Sequence, residues 1–179
     1  MTRAELVDLL ARRDALAAAA ALPPPREVTY TRGEAPGDLL VDGDTERPVG
    51  EHRAAHLAGR PSEAIVVYGE GVDVEHVADR LIALAGLAEE TGLLSAVCPV
   101  PAPGVRTPGS WGVEDLTIIT VARRALGPSV RVRPDWARLG PQTCGVTLAF
   151  GADDLVVPPD DPTDVAALAA AAGRRAVER

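Results

Sequence analysis

The sequence predicts an α/β fold built on a parallel sheet. Three apolar runs, "AIVVYG", "LLSAVCPV" and "DLVV", read as buried strands, and "VRVRPDW" as a further strand with Arg at alternate positions. Each is followed by a helical segment, so that four βα units follow one another from Ala64 onward. The chain has 179 residues, whereas a complete eight-unit barrel takes ~250 and rarely fewer than ~200. The expectation is therefore half of a TIM-type βα barrel, about four parallel strands in βα units, preceded by an N-terminal helix and a short strand.

The elements follow in order. Thr2 can cap a first helix in "RAELVDLLARRDALAAAAAL", rich in Ala and Leu, and "PPP" at 23–25 stops it. "REVTYT" is a short strand. Residues 32–50 are rich in Gly, Pro and Asp and read as a linker with a brief "DLLV" strand. "EHRAAHLAG" is a short helix ending at Gly59. The helix over 73–92 is capped by Asp73, closed by Gly92, and carries Val74, Val77, Ala78, Leu81, Ile82, Ala85 and Ala88 on one face. The next has Ser110 as its expected cap, acids in its first turn and arginines in its last. "WARLGPQTCGVTLAFGADDL" carries an apolar stripe of Leu139, Cys144, Val146, Leu148 and Phe150, and reads as a helix feeding a strand. "DPTDVAALAAAAGRR" is the last expected helix, with Pro162 at its start. One domain is expected over 1–179: the helix and strand of 1–31, the linker-like 32–50, and the half-barrel of 51–179.

Composition excludes several roles. The net charge of -8 and the absence of a basic stripe argue against nucleic-acid binding. No apolar run approaches the ~20 residues of a membrane span. "ALAAAAAL" is preceded by Asp8, Arg12, Arg13 and Asp14, which is unlike a secretory signal. The two cysteines, Cys98 and Cys144, lie far apart without a pairing pattern, so a cytoplasmic location is expected.

Five motifs in order, "HRAAHLAGRPSEAIVVYG", "RLIALAGLAEETG", "GVEDLTIITVARRAL", "WARLGPQTCGVTLAFGADDL" and "AAGRRAVER", resemble the C-terminal half of a radical S-adenosylmethionine (SAM) family. That family contains aminofutalosine synthase and dehypoxanthine futalosine cyclase of menaquinone biosynthesis, with the deazaflavin synthases of coenzyme F420 as relatives. "ELVDLLARRDALAAAA" and "VTYTR" resemble its lead-in. The resemblance implies a [4Fe–4S] cluster held by a Cys-x3-Cys-x2-Cys loop and SAM on the open iron. Residues 32–50 stand where that loop belongs and contain no cysteine. Two cysteines cannot supply three thiolates, so no cofactor and no metal are expected here. Substrate positions differ too. Glu70 stands where the family has a His after "YG", "APGVRT" replaces a His-Pro-Glu-Asn type loop, and "VVPPDD" replaces Asp-Gly-Thr.

The expected function is thus that of a cluster-less, radical-SAM-like protein of the futalosine pathway, not catalysing radical chemistry alone. It would be an accessory or self-associating scaffold, partnered by a second copy or a full-length menaquinone enzyme. The alternative is a small ligand-binding protein or non-radical enzyme using a pocket at the strand C-termini, where barrels keep their chemistry. Tyr68, Glu70, Trp111, Asp135 and Trp136 occupy such positions and are the ligand-binding candidates; no catalytic residue stands out. A genetic remnant is a third reading, opposed by the intact caps and stripes. His52 and His56, at i, i+4, read as a solvated helix face rather than a zinc pair, and His76 as a surface residue. Cys98 and Cys144 read as core. Asp153 and Asp154 sit at a strand start and read as capping groups.

Overall fold

A computed structural model describes residues 1–14, 16, 19, 22, 27–33, 46–103 and 112–179. The elements among them are α1 (Arg3–Arg12), β1 (Glu27–Arg32), α2 (Val49–Leu57), β2 (Ser62–Tyr68), α3 (Val74–Thr91), β3 (Leu94–Pro101), α4 (Val113–Leu126), β4 (Arg131–Val132), α5 (Trp136–Leu148), β5 (Asp154–Val157), α6 (Val165–Ala171) and β6 (Arg175–Glu178). The linker-like stretch lies mostly outside the described residues, as does Ser110; the first helix, expected to run on to the prolines at 23–25, instead ends at Arg12, where Arg13 turns left-handed with φ 51°.

Local chemistry sets the helix ends. Thr2 and Glu5 form a reciprocal capping box on α1. Asp73, Asp135 and Asp164 each accept a backbone N–H at the start of α3, α5 and α6. Gly112, with φ 93°, is the N-cap of α4. The expected single helix after Trp136 is broken: Gly140 adopts φ 74°, ψ 167° and Pro141 follows it, so that two short helices meet at a kink.

All strand pairs are parallel, in two three-stranded sheets of order β2-β3-β4 and β5-β1-β6. Asp153 joins them. Its N–H donates to Val132 O (3.1 Å) and its carboxylate accepts the Val132 N–H (2.8 Å), while its carbonyl accepts the Thr29 N–H (3.0 Å). The resulting succession, β2-β3-β4-β5-β1-β6, is part of an α/β barrel. In a closed barrel the last strand pairs with the first, and here β5 lies beside β1. The last helix was expected to run to Arg175, yet β6 begins there. It flanks β1 on the other side, where a barrel's second strand would lie.

Each strand splits its side chains between two faces. Ala64, Val66, Val97, Val132, Leu155 and Val28 face the helices and join Leu6, Leu81, Leu84, Ile118, Ile119 and Leu148 in one core. Burial of this aliphatic surface is the main stabilising term. Glu63, Arg133, Asp154 and Thr29 meet on the opposite face.

Candidate functional site

The strand C-termini were the place to look for a pocket. Tyr68, at the end of β2, turns into the helix layer, where its hydroxyl donates to Asp115 of α4 (2.5 Å). It lines a cleft of about 80 Å³ with Leu10, Arg13, Gly69, Val72 and Glu114. That is small against the ~300–1,000 Å³ of ordinary ligand pockets. Glu70 is exposed. Asp135 caps α5 and pairs with Arg138. Trp136 is buried, and its indole N–H donates to Asp161 (3.0 Å). Trp111 lies outside the described residues. Tyr68 and Trp136 are thus held by different partners, and of the four described candidates the cleft includes Tyr68.

The polar cluster that sequence reasoning missed lies on the inner face of the sheet. Arg133, just past β4, donates to Glu63 of β2 through Nη2 (2.8 Å) and through Nη1, and to Asp154 of β5 through Nε (2.7 Å). Asp154 also accepts the Thr29 hydroxyl (2.8 Å) and the Arg179 guanidinium. Burial works against the Arg133 charge, but the hydrogen-bonded Glu63 and nearby Asp154 outweigh it and hold its pKa above the usual value. The carboxylate Asp153 is raised by burial, against the opposing pull of Arg123, its ion-pair partner at 2.5 Å. Arg174 donates to Ala152 O alongside. Asp153 thus ties the two sheets together and Asp154 sits in the inner ion cluster. The signal in the sequence was the alternation of Arg131 and Arg133 in "VRVRP"; their partners were not legible.

The histidines correct the sequence reading. His52 and His56 are 0% and 5% exposed, not a solvated face. Thr91 Oγ donates to Leu87 O (2.8 Å), so it can only accept from His56 Nδ1–H (2.8 Å). His56 Nε2 is then an acceptor for the Ser62 hydroxyl (2.8 Å), which in turn accepts His52 Nδ1–H (2.9 Å). With both rings neutral, donor counting places the proton on Nδ1 of each. Burial lowers the pKa of both, His52 to about 4, with the Arg80 and His56 charges acting in the same direction on His52. The Ser62–His56 contact has the distance of a nucleophile–base pair. Ser62 is buried, however, and lies at the start of β2, away from the strand ends where barrel chemistry occurs.

The chain does not fit an iron–sulfur cluster. Its two cysteines lie on β3 and α5, and neither is disulfide-bonded. Burial pushes the Cys98 thiol up to about 12 and Cys144 higher still, which opposes the thiolate form that ligation requires. Among the described residues no three His, Cys, Asp or Glu side chains converge as metal ligands.

Fold and inner face together define a parallel βα half-barrel held by charge on its inner side. The particular proteins it is similar to carry a different name from the one the motifs suggested. It is 30% identical over 110 residues to 5-amino-6-(D-ribitylamino)uracil--L-tyrosine 4-hydroxyphenyl transferase of Archaeoglobus fulgidus, covering 58% of this chain and 32% of that protein. The enzymes of the same name from Methanococcus aeolicus and Methanopyrus kandleri are 26% and 29% identical over 113 residues, covering 58% of this chain and 31% of each. The chain thus spans about a third of the length of the curated relatives it matches. No family model matches it. These similarities overturn the assignment to the futalosine and menaquinone enzymes. The physical reason lies in the motifs themselves: "EHRAAH" packs against Ser62 and Thr91, and "ADDL" joins two sheets. Such residues report a shared scaffold and not a substrate.

Proposed function

We propose that this chain is a non-catalytic relative of radical-SAM-like enzymes of cofactor biosynthesis, a cytoplasmic scaffold that works in association with a second polypeptide. The observation that carries this reading is the donor set. A [4Fe–4S] cluster that leaves one iron for SAM takes three protein thiolates; this chain offers two thiols, Cys144 buried and Cys98 half-buried, both driven towards the protonated form. The inner-face groups are equally unavailable for chemistry, because Arg133, Glu63 and Asp154 satisfy one another. The partner is a second copy or a longer chain of the 4-hydroxyphenyl transferase class. Among the described strands β6 pairs on one side only, with β1, which favours association. A ligand site at Tyr68, Glu70, Trp111, Asp135 and Trp136 has less support, given the small cleft and the engagement of Tyr68 and Trp136 with aspartates.

Anaerobic reconstitution with iron and sulfide, followed by a SAM-cleavage assay, tests the reading. The expected result is iron well below four per chain and no 5′-deoxyadenosine. A stoichiometric cluster that cleaves SAM in the purified chain overturns it. Light scattering over a concentration series tests the scaffold role, and a strict monomer that also fails to bind a co-expressed transferase of that class removes it.

A further inference from the structure

In a parallel sheet, successive residues of a strand turn their backbone groups to alternate sides. On β2, Ser62 and Tyr68 turn theirs to β3: the Ser62 N–H donates to Leu93 O (3.0 Å) and Tyr68 O accepts from Ala102 N–H (2.7 Å). The odd-numbered residues Ile65 and Val67 therefore turn theirs to the outer edge. A neighbouring parallel strand would meet them with a single residue, whose N–H donates to Ile65 O and whose carbonyl accepts the Val67 N–H.

Two side chains make those two bonds instead. The Arg80 guanidinium of α3 donates to Ile65 O through Nε (3.3 Å) and Nη2 (3.2 Å). The Glu46 carboxylate accepts the Val67 N–H at 2.7 Å. The pair supplies one donor and one acceptor in the order a strand residue would. Arg80 is 8% exposed; its burial lowers its pKa, and the Glu46 charge partly offsets this. The second Glu46 oxygen is held by His76 Nε2 at 2.8 Å, which leaves the first aimed at β2.

We propose that Glu46 and Arg80 form a clamp that takes the hydrogen-bonding place of one residue of a parallel strand and so closes the outer edge of β2 to strand addition. Exposed edges invite pairing with other chains, and charged side chains are a common guard. Here the guard also satisfies the edge groups it covers. The inference is independent of the proposed function: it concerns which edge is closed, whatever the chain's partner.

Amide hydrogen exchange and light scattering test it on the full chain. In Glu46→Ala, the Val67 amide should exchange about fivefold faster than in the wild type, the factor that corresponds to loss of one ordinary hydrogen bond. Glu46→Gln keeps an acceptor and should retain protection. The double variant Glu46→Ala/Arg80→Ala should associate to a higher mass than the wild type as concentration rises. Unchanged Val67 exchange in Glu46→Ala, with far-UV circular dichroism unchanged, overturns the clamp. So does a folded double variant that matches the wild-type mass throughout. Should loss of Arg80 unfold the chain, the Glu46→Ala and Glu46→Gln pair alone decides the matter through Val67.

Discussion

The β2-β3-β4 side and the β5-β1-β6 side use different physics to hold a similar parallel ladder. On the first, consecutive βα units pack locally, and the polar groups beneath α2 form a directed chain of two imidazoles, Ser62 and Thr91. On the second, strands from both ends of the chain meet. Thr29 and Asp154 are 125 residues apart, and Tyr30 and Glu178 are 148 apart. Charge gathers at that join, with Arg133, Asp154 and Arg179 inside and Arg175–Glu27 outside. Local packing needs little help to find its register. A join between distant segments is more strongly specified when a misplaced strand would leave a buried charge unpaired.

The sharpest way to break this contrast is Arg133→Met. It leaves the buried Glu63 without its cation and Asp154 with only Arg179 and Thr29, and removing one member of a buried ion cluster typically costs ~3–5 kcal/mol. Urea denaturation should show the loss; a change below ~1 kcal/mol would mean that charge does not hold the join. On the other side, Ser62→Ala leaves His52 Nδ1–H and His56 Nε2 without their shared partner. A loss of about 1–3 kcal/mol is expected by the same measurement.

Acid separates the sides further. His52 has a folded pKa of about 4 against the ordinary 6.5, so below about pH 6.5 the unfolded chain takes up a proton that the folded chain refuses. Stability therefore falls as the pH drops from about 6.5 towards about 4. Asp153, raised by burial, acts in the opposite sense on acidification. Urea midpoints between pH 7 and pH 5 should decline in the wild type and decline less in His52→Asn. Equal slopes would remove His52 as the cause. The smallest effect belongs to Arg175→Ala, which breaks an exposed ion pair with Glu27. It should cost under ~1 kcal/mol and leaves the inner cluster as the sensitive part of the join.

How much of this was legible depended on distance along the chain. Asp73 and Gly92 mark the ends of α3, and Asp135 caps α5, because capping is a contact across three or four residues. The "GP" at 140–141 carried the kink in plain sight, yet the apolar stripe on either side argued for one helix; within that stripe Cys144 and Leu148 are buried while Val146 is exposed. β6 was hidden because four residues following an Ala-rich helix carry no period of their own; β1 makes them a strand. His52 and His56 looked solvent-facing since their partners, Ser62 and Thr91, are 10 and 35 residues away. The five ligand-binding candidates were chosen by their place at strand ends, which fixes a residue's height on the sheet but not the direction of its side chain.

The lateral pairing of β1 has a consequence for synthesis. Its two neighbours are residues 154–157 and 175–178, so nothing emerging earlier from the ribosome can dock against it. The "VTYT" segment must wait, solvated and unpaired, while more than a hundred further residues are added. The opening strand is thus among the last to find its place, and a chaperone that shields short β-prone stretches would have its longest opportunity there.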